Sequence, residues 1–436
     1  MAALAEELTK LGQPAPDVRI AKWDETPKTK LGPFGAEPEW TEEEAAIVDT
    51  LTRFAENEMR PIGEILDRMS PEEVIAPGSP LWGMYEKFME MGFTVDVMLD
   101  MEPKQRAKIL CLFYEILGWG DSGLAISIGA STLPRYLSRL FGNDFLAELC
   151  ADDKIGSWAI TEPDHGSDTL DPDREVAHAK GTHGRPNCVV TLKSDKIIIN
   201  GQKAAWVCNA TISDHIILYA AADSGAGADP DHGAVVVMPT DVKGYSRGKP
   251  LNKMGQRALN QGEIFFDNVE LPLEHVLAGP ENYQRCLYSI HTEANVLMGA
   301  TFVGLARRAY ELAHAYAHER KQGGVPIIRH QHVAYRLFHM FRKVEAACAL
   351  TRRVAEYNMV NEHPALHAAM TSKVTGTQTA FEVASEAIQM FGGNGVTREY
   401  PVEKLLRDAR SSMIEDGCNE VLAMKGGFAL ADPELL

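Results

Sequence analysis

The sequence predicts an α+β protein in which a helical region, a β-rich region and a second helical region follow one another. Three observations carry this. From Thr41 apolar residues recur at threes and fours, with Ile47, Leu51 and Phe54 on one face. Between 155 and 273 the period shortens and turn residues multiply. After Pro272 the helical period returns and persists to the end of the chain.

Residues 1–40 carry Pro14, Pro16, Pro27, Pro33 and Pro38 amid scattered charge, which predicts an irregular arm. The helical region spans 41–154, and its start is marked by Thr41 with Glu44 three residues on, the pattern of a capping box. The β region spans 155–273, with strands expected at 189–192, 197–199, 215–220, 234–238 and 263–266. The last region spans 274–436. Within it Val333, Leu337, Met340, Val344, Ala347 and Val354, then Phe381, Ala384, Ile388 and Phe391, form stripes suited to long antiparallel helices in a bundle.

With 436 residues the chain exceeds the size of one core, and 45% apolar with 24% charged residues is ordinary for a folded globular protein. A net charge of −18, without a basic stripe, repels phosphate backbones and disfavours nucleic acid. No apolar run approaches the roughly 20 residues that span a bilayer, so no membrane partner is expected. Cys111, Cys150, Cys188, Cys208, Cys286, Cys348 and Cys418 lack paired spacing, as expected of reduced thiols. The first residues, with Glu6 and Glu7, fit neither a secretory nor a transit peptide, and the expected location is cytoplasmic.

No G-x-G-x-x-G follows a strand and no Walker sequence is present, which disfavours a Rossmann-type dinucleotide site. His318 and Glu319 open like a zincin, but Gln322 stands where the second histidine belongs, so His314 and His318 read as an ordinary helix face and no metal is expected. The run from Trp158 to Asp168 passes from apolar residues into small polar ones, either a strand leaving into a turn or a set of backbone N–H groups offered to an anion. Gly392 and Gly393 follow a long amphipathic helix, where physics favours a glycine cap over close approach to a ligand.

TEPDHGSD (161–168) and QMFGGNGVTREYPVEKLLRD (389–408) resemble the two signatures of the acyl-CoA dehydrogenases. INGQK (199–203), LNKMGQRALNQGEIFFDNVELP (251–272) and HERKQGGVPIIRHQ (318–331) fall between them in the family's order. The resemblance implies an N-terminal helical domain, a middle β-domain and a C-terminal four-helix bundle. It further implies a homotetrameric or dimeric FAD-dependent oxidoreductase that converts an acyl-CoA to its enoyl-CoA and passes electrons to an electron-transferring flavoprotein.

By that similarity Trp158, Ile160, Thr161 and Ser167 line the flavin, with Trp206 and Cys208 beside it; Cys208 stands where the family usually has Thr or Ser. Arg320, His330 and Gln331 meet the pyrophosphate and adenosine, and Gln389, Gly392 and Gly393 reach across a subunit boundary. Cys418 and Glu420 occupy cofactor-binding positions in place of the customary Thr and Gln. Asp416 aligns with the family's glutamate base, followed by Gly417 beside the thioester; Glu415 and Glu293 are rival bases. Aspartate is shorter by one C–C bond, ~1.5 Å, so substrate or backbone sits differently. Some family members that act on alicyclic acyl-CoAs are similar in using Asp for Glu, and that resemblance implies a bulky or alicyclic acyl group. Asn295, for the usual Arg, and the absent Gly-rich stretch near 94–103 point to a reshaped acyl pocket, where Asp96 and Asp100 are surface groups before they are second acids or bases. Gly323 stands for an aromatic near the cofactor. The rival functions are an oxygen-using oxidase resembling nitroalkane oxidase and a non-catalytic scaffold retaining FAD.

Overall fold

The computed structural model describes residues 35–37, 40–171, 176, 178–182 and 184–431. The chain divides into two units, Met1–Glu39 and Trp40–Leu436. The arm expected over 1–40 lies almost wholly outside the described residues. The described helices and strands all belong to the second unit.

Helices come first: α1 (Glu42–Phe54), running through a π-helical turn (Ala55–Met59) into α2 (Arg60–Leu66), then α3 (Pro71–Ile75), α4 (Pro80–Glu90), α5 (Val95–Asp100), α6 (Pro103–Gly120), α7 (Ser122–Leu140) and α8 (Asp144–Leu149). Thr41 and Glu44 form the expected capping box, and Ser70 with Glu73 forms another. The strands are β1 (Gly156–Ala159), β2 (Cys188–Leu192), β3 (Lys196–Cys208), β4 (His215–Asp223), β5 (Ala228–Pro239), β6 (Tyr245–Arg247), β7 (Gln261–Pro272) and β8 (Val276–Ala278). Each expected strand is present and longer than its apolar core, because flanking polar residues continue the ladder. β1, β6 and β8 are too short to show a period.

The sheet runs β6-β7-β3-β1-β4-β5-β8, with β2 also between β3 and β4. β1 pairs with residues 215–218 of β4 and β2 with residues 221–223, so the two short strands fill opposite ends of one seam. The chain from Ile160 to Asn187 leaves and re-enters the sheet at that seam, which carries the TEPDHGSD turn out of the sheet. Buried Lys203 closes the gap, donating to the Ile160 carbonyl (2.9 Å) and pairing with Glu162 (2.6 Å). Register shifts in the β3 and β7 pairing between Lys203 and Val207 leave Trp206 standing out from the sheet, 58% exposed.

After a short 3₁₀ turn and β8 come α9 (Tyr283–Glu319), a hairpin of β9 (Lys321–Gln322) and β10 (Val325–Pro326), α10 (Gln331–Val360), α11 (Leu366–Phe391), α12 (Val402–Ser412) and α13 (Asn419–Ala431). Leu337, Met340, Val344, Ala347 and Val354 are buried as expected. On α11 the buried face centres on Ala380, Val383, Ala384 and Ala387, with Phe381 and Ile388 at its margin, since small residues let the helices come close. α6 and α9 cross backbone to backbone: a Cβ on Gly304 would lie 1.9 Å from the Glu115 carbonyl oxygen. At this crossing the Glu115 carboxylate pairs with Arg307 (2.9 Å) and Arg352 (2.7 Å), tying α6, α9 and α10 together. No helix among the described residues is long and apolar enough to cross a membrane.

Candidate active site

A cavity of about 1110 Å³ opens between the sheet, the N-terminal helices and the bundle. Trp158, Ile160, Thr161, Ser167, Trp206 and Cys208 form one wall. Phe88, Phe93, Met98, Leu110, Phe113 and Tyr114 form an apolar and aromatic one. Glu293, Glu415, Asp416 and Gly417 complete it from the bundle side. In place of the absent Gly-rich stretch, Thr94 caps α5, and Phe93, Thr94, Val95 and Met98 reach the cavity.

Asp416 sits in the turn between α12 and α13 with φ 53°, in the left-handed region that Asp tolerates better than most residues, and Gly417 follows at φ 86°. This turn is pinned from several sides. Asn295 on α9 donates to the Asp416 carbonyl (3.3 Å), and buried Lys373 on α11 donates to the Gly417 carbonyl and to Asn419 Oδ1 (both 2.8 Å). The Cys418 N–H donates to Ser167 Oγ (3.0 Å), joining the turn to the TEPDHGSD segment 251 residues away. Gln256 donates its side-chain amide to Glu415.

Among the described residues the Asp416 carboxylate has no hydrogen bond or ion pair. Burial, reinforced by the negative charge of Glu415 and offset in part by Lys373, pushes its pKa up to about 7. Glu415 is also raised by burial, but Gln256 holds its side chain. Burial lowers Lys373 to about 8. Glu293, raised by burial, accepts the Tyr136 hydroxyl. Cys208 accepts a weak bond from Gln261 Nε2 (3.4 Å), and burial pushes its thiol up to about 12, so it stays protonated.

Models of the acyl-CoA dehydrogenase middle domain and C-terminal domain match residues 157–269 and 292–428. The chain is 30% identical over 405 residues to the cyclohex-1-ene-1-carbonyl-CoA dehydrogenase of Geobacter metallireducens, covering 90% of this chain and 99% of that one. The chain belongs to the acyl-CoA dehydrogenase family. It is 28% identical over 393 residues to the benzylmalonyl-CoA dehydrogenase of Aromatoleum aromaticum, covering 88% and 97%. The butyryl-CoA dehydrogenase structure from Megasphaera elsdenii shares its fold, with a TM-score of 0.77 at 24% identity, over 91% of this chain and all of that one. As a member of this family the chain carries a FAD-binding fold and the family's oxidation of a CH–CH bond in an acyl thioester.

The residues in hand fit a flavin. Among the described residues the buried Trp158 indole N–H has no partner, and neither does buried Asn295 Oδ1 beside the Asp416 turn. His291 packs edge-on against Trp158 (5.7 Å), donates Nδ1–H to the Leu287 carbonyl (2.8 Å), and is held neutral by burial, at about 4.

The remaining positions lie elsewhere. Arg320, His330 and Gln331 flank the β9 and β10 hairpin and are exposed. Gln389, Gly392 and Gly393 close α11, also exposed, and Gly392 is its C-cap, its N–H donating to the Gln389 and Ile388 carbonyls. Tyr316, one turn before Arg320, stacks on Phe391 at 4.0 Å, which brings both sets to the same end of the bundle. Glu420 is exposed on the first turn of α13. Asp96 is paired with Arg135 and Arg139, which hold its carboxyl below the usual range, while Asp100 is exposed. His314 and His318 lie side by side on an exposed helix face, their rings tilted to one another at 4.7 Å. No cluster of potential metal ligands occurs among the described residues.

Sequence reasoning missed Lys373, Gln256 and Tyr136. Lys373 did leave a signal: it interrupts the apolar face that Ala369, Gly376 and Ala380 define on α11. Gln256 and Tyr136 gave none, since their partners lie 159 and 157 residues away.

Proposed function

We propose that this chain oxidises a bulky or alicyclic acyl-CoA to its enoyl-CoA, with Asp416 removing the α-proton. The observation that carries this reading is the Asp416 carboxylate itself: half-buried in the cavity wall, without a partner among the described residues, and with a pKa near the pH at which a general base works best. Glu415 and Glu293 are weaker candidates because each side chain is already engaged by a donor. The short Asp side chain suits the left-handed backbone at this position.

As the α-carbon loses its proton, negative charge grows on the thioester oxygen. The Asp416 and Gly417 N–H groups make no bond within the described residues and are the donors that would meet it. Asn295 holds the Asp416 carbonyl, which in a trans peptide turns the Gly417 N–H the opposite way, while Lys373 holds the Gly417 carbonyl opposite the Cys418 N–H that Ser167 accepts. FAD, when bound, supplies the acceptor for the β-hydride. Trp158, Thr161, Ser167, Trp206 and Cys208, which line the cavity together, would hold its ring system. At the far end of the bundle, Arg320, His330 and Gln331 with Gln389, Gly392 and Gly393 form an exposed set for its pyrophosphate and adenosine, shared with a second copy of the chain in a dimer or tetramer. An electron-transferring flavoprotein takes the electrons onward. The aromatic wall, and the cyclic acyl groups in the names of the two relatives above, support the substrate class.

Anaerobic mixing with linear, branched, alicyclic and aryl acyl-CoAs, followed by flavin absorbance, tests this. Alicyclic members bleach the wild type, whereas Asp416→Asn keeps its flavin and reduces it roughly 10²- to 10⁴-fold more slowly. Undiminished bleaching in Asp416→Asn overturns the assignment of the base. Steady oxygen consumption without another acceptor assigns an oxidase instead.

A further inference from the structure

Besides Asp416 and Glu415, the cavity wall holds Glu293, which neither step of the dehydrogenation uses. Glu293 and Asn295 are two residues apart on α9, so they leave the helix about 200° apart. Asn295 turns to the Asp416 turn, while Glu293 turns to α7, where its Oε2 accepts the Tyr136 hydroxyl. Tyr136 lines the same cavity and Tyr114 lies beside the pair, on the side of α9 opposite to the one from which Asn295 holds the Asp416 turn.

One oxygen of this carboxyl is spoken for. The other, Oε1, makes no hydrogen bond among the described residues. A polar atom in an apolar wall is costly unless something pairs with it, and a ligand that supplies the partner is favoured over one that does not. The chemistry of that ligand is narrowed by charge. A carboxylate tail meets the like charge of Glu293. An ammonium tail competes with the positive charge of Arg106, which already acts on Glu293. A neutral hydroxyl suits both protonation states of Glu293, because it donates to the carboxylate and accepts from the carboxylic acid.

We propose that Glu293 and Tyr136 are specificity-determining residues that recognise a hydroxyl group on the acyl tail. The preferred substrate is then a hydroxylated alicyclic acyl thioester, and the reaction that supplies it is one that hydroxylates, or hydrates, the ring. This rests on the acyl-CoA reading above.

The test is titration calorimetry on the flavin-loaded Asp416→Asn protein, which binds without turning over, using cyclohexanecarbonyl-CoA and its 3- and 4-hydroxy derivatives. At least one hydroxylated ligand binds tenfold or more tightly than the parent, and adding Glu293→Leu or, separately, Tyr136→Phe brings the ratio to within twofold. Equal affinities for all three ligands, or a preference that survives both variants, overturns the proposal. Bleaching of the wild type by the same ligands reports on the dehydrogenation separately. A hydroxyl preference without bleaching leaves the tail site standing and removes the reaction. Bleaching without preference does the reverse.

Discussion

Glu115 is buried between helices and Asp416 half-buried in a cavity wall, and the protein treats the two carboxylates in opposite ways. At the crossing of α6, α9 and α10, Glu115 is met by Arg307 and Arg352, which hold its pKa below the usual carboxylate range despite burial. In the cavity wall, Asp416 receives no partner, and burial carries it up to about 7. The difference teaches where this fold spends its charge. Where helices need register, a buried acid is paired and fixed in its ionised form. Where a proton has to be taken up and released, the acid is left alone and only its backbone is held.

The comparison can be broken from the structural side first. Glu115→Gln leaves two guanidinium groups facing an amide in the interior, and breaking a buried pair in this way costs about 3 to 5 kcal/mol. Denaturant unfolding checks it, and a loss below about 1 kcal/mol means the crossing does not depend on the ion triad. Gly304→Ala attacks the same crossing through shape. A Cβ 1.9 Å from the Glu115 carbonyl oxygen forces α6 and α9 apart, with an expected cost of about 1 to 3 kcal/mol in the same experiment.

Asp416→Asn has the smallest effect on stability and the opposite sign. The folded pKa of about 7 stands above the unfolded value near 3.8, so the folded chain binds the extra proton. The cost of ionising Asp416 is therefore absent below pH 4, grows between 4 and 7, and is complete above 7. Asn, which tolerates the left-handed backbone, removes that cost. The variant is expected to be more stable than the wild type by about 1 kcal/mol at pH 8, allowing for solvent in the cavity, with the difference gone by pH 4. Thermal unfolding at the two pH values measures it, and a less stable variant at pH 8 contradicts the account of the unpartnered carboxylate.

The order of helices, sheet and helices was legible because each region is long enough for its period to show. Thr41 with Glu44 marked the first helix start to the residue, since a capping box is a local pattern. The stripe on α10 was equally plain, and the glycine cap at Gly392 followed from its position after an amphipathic run. The seam between β3 and β4 was not legible. β1 is only Gly156–Ala159, and the buried contact of Lys203 with Glu162 that closes the gap links residues 41 apart. Asp416 was found through resemblance, with its neighbours in sequence. The contacts that pin its turn, from Asn295, Lys373 and Ser167, come from three other elements, and no local pattern encodes them.

The central claim is that Asp416 is a base tuned by its isolation, and the pH dependence of anaerobic flavin reduction tests it most directly. Below its pKa the carboxyl is protonated and cannot accept the α-proton. The wild-type rate with a bleaching acyl-CoA is therefore expected to rise with pH through a single ionisation near 7, and in Asp416→Asn both the rate and that ionisation are lost. An unchanged ionisation in the variant, or a wild-type rate flat from pH 5 to 9, would contradict the account.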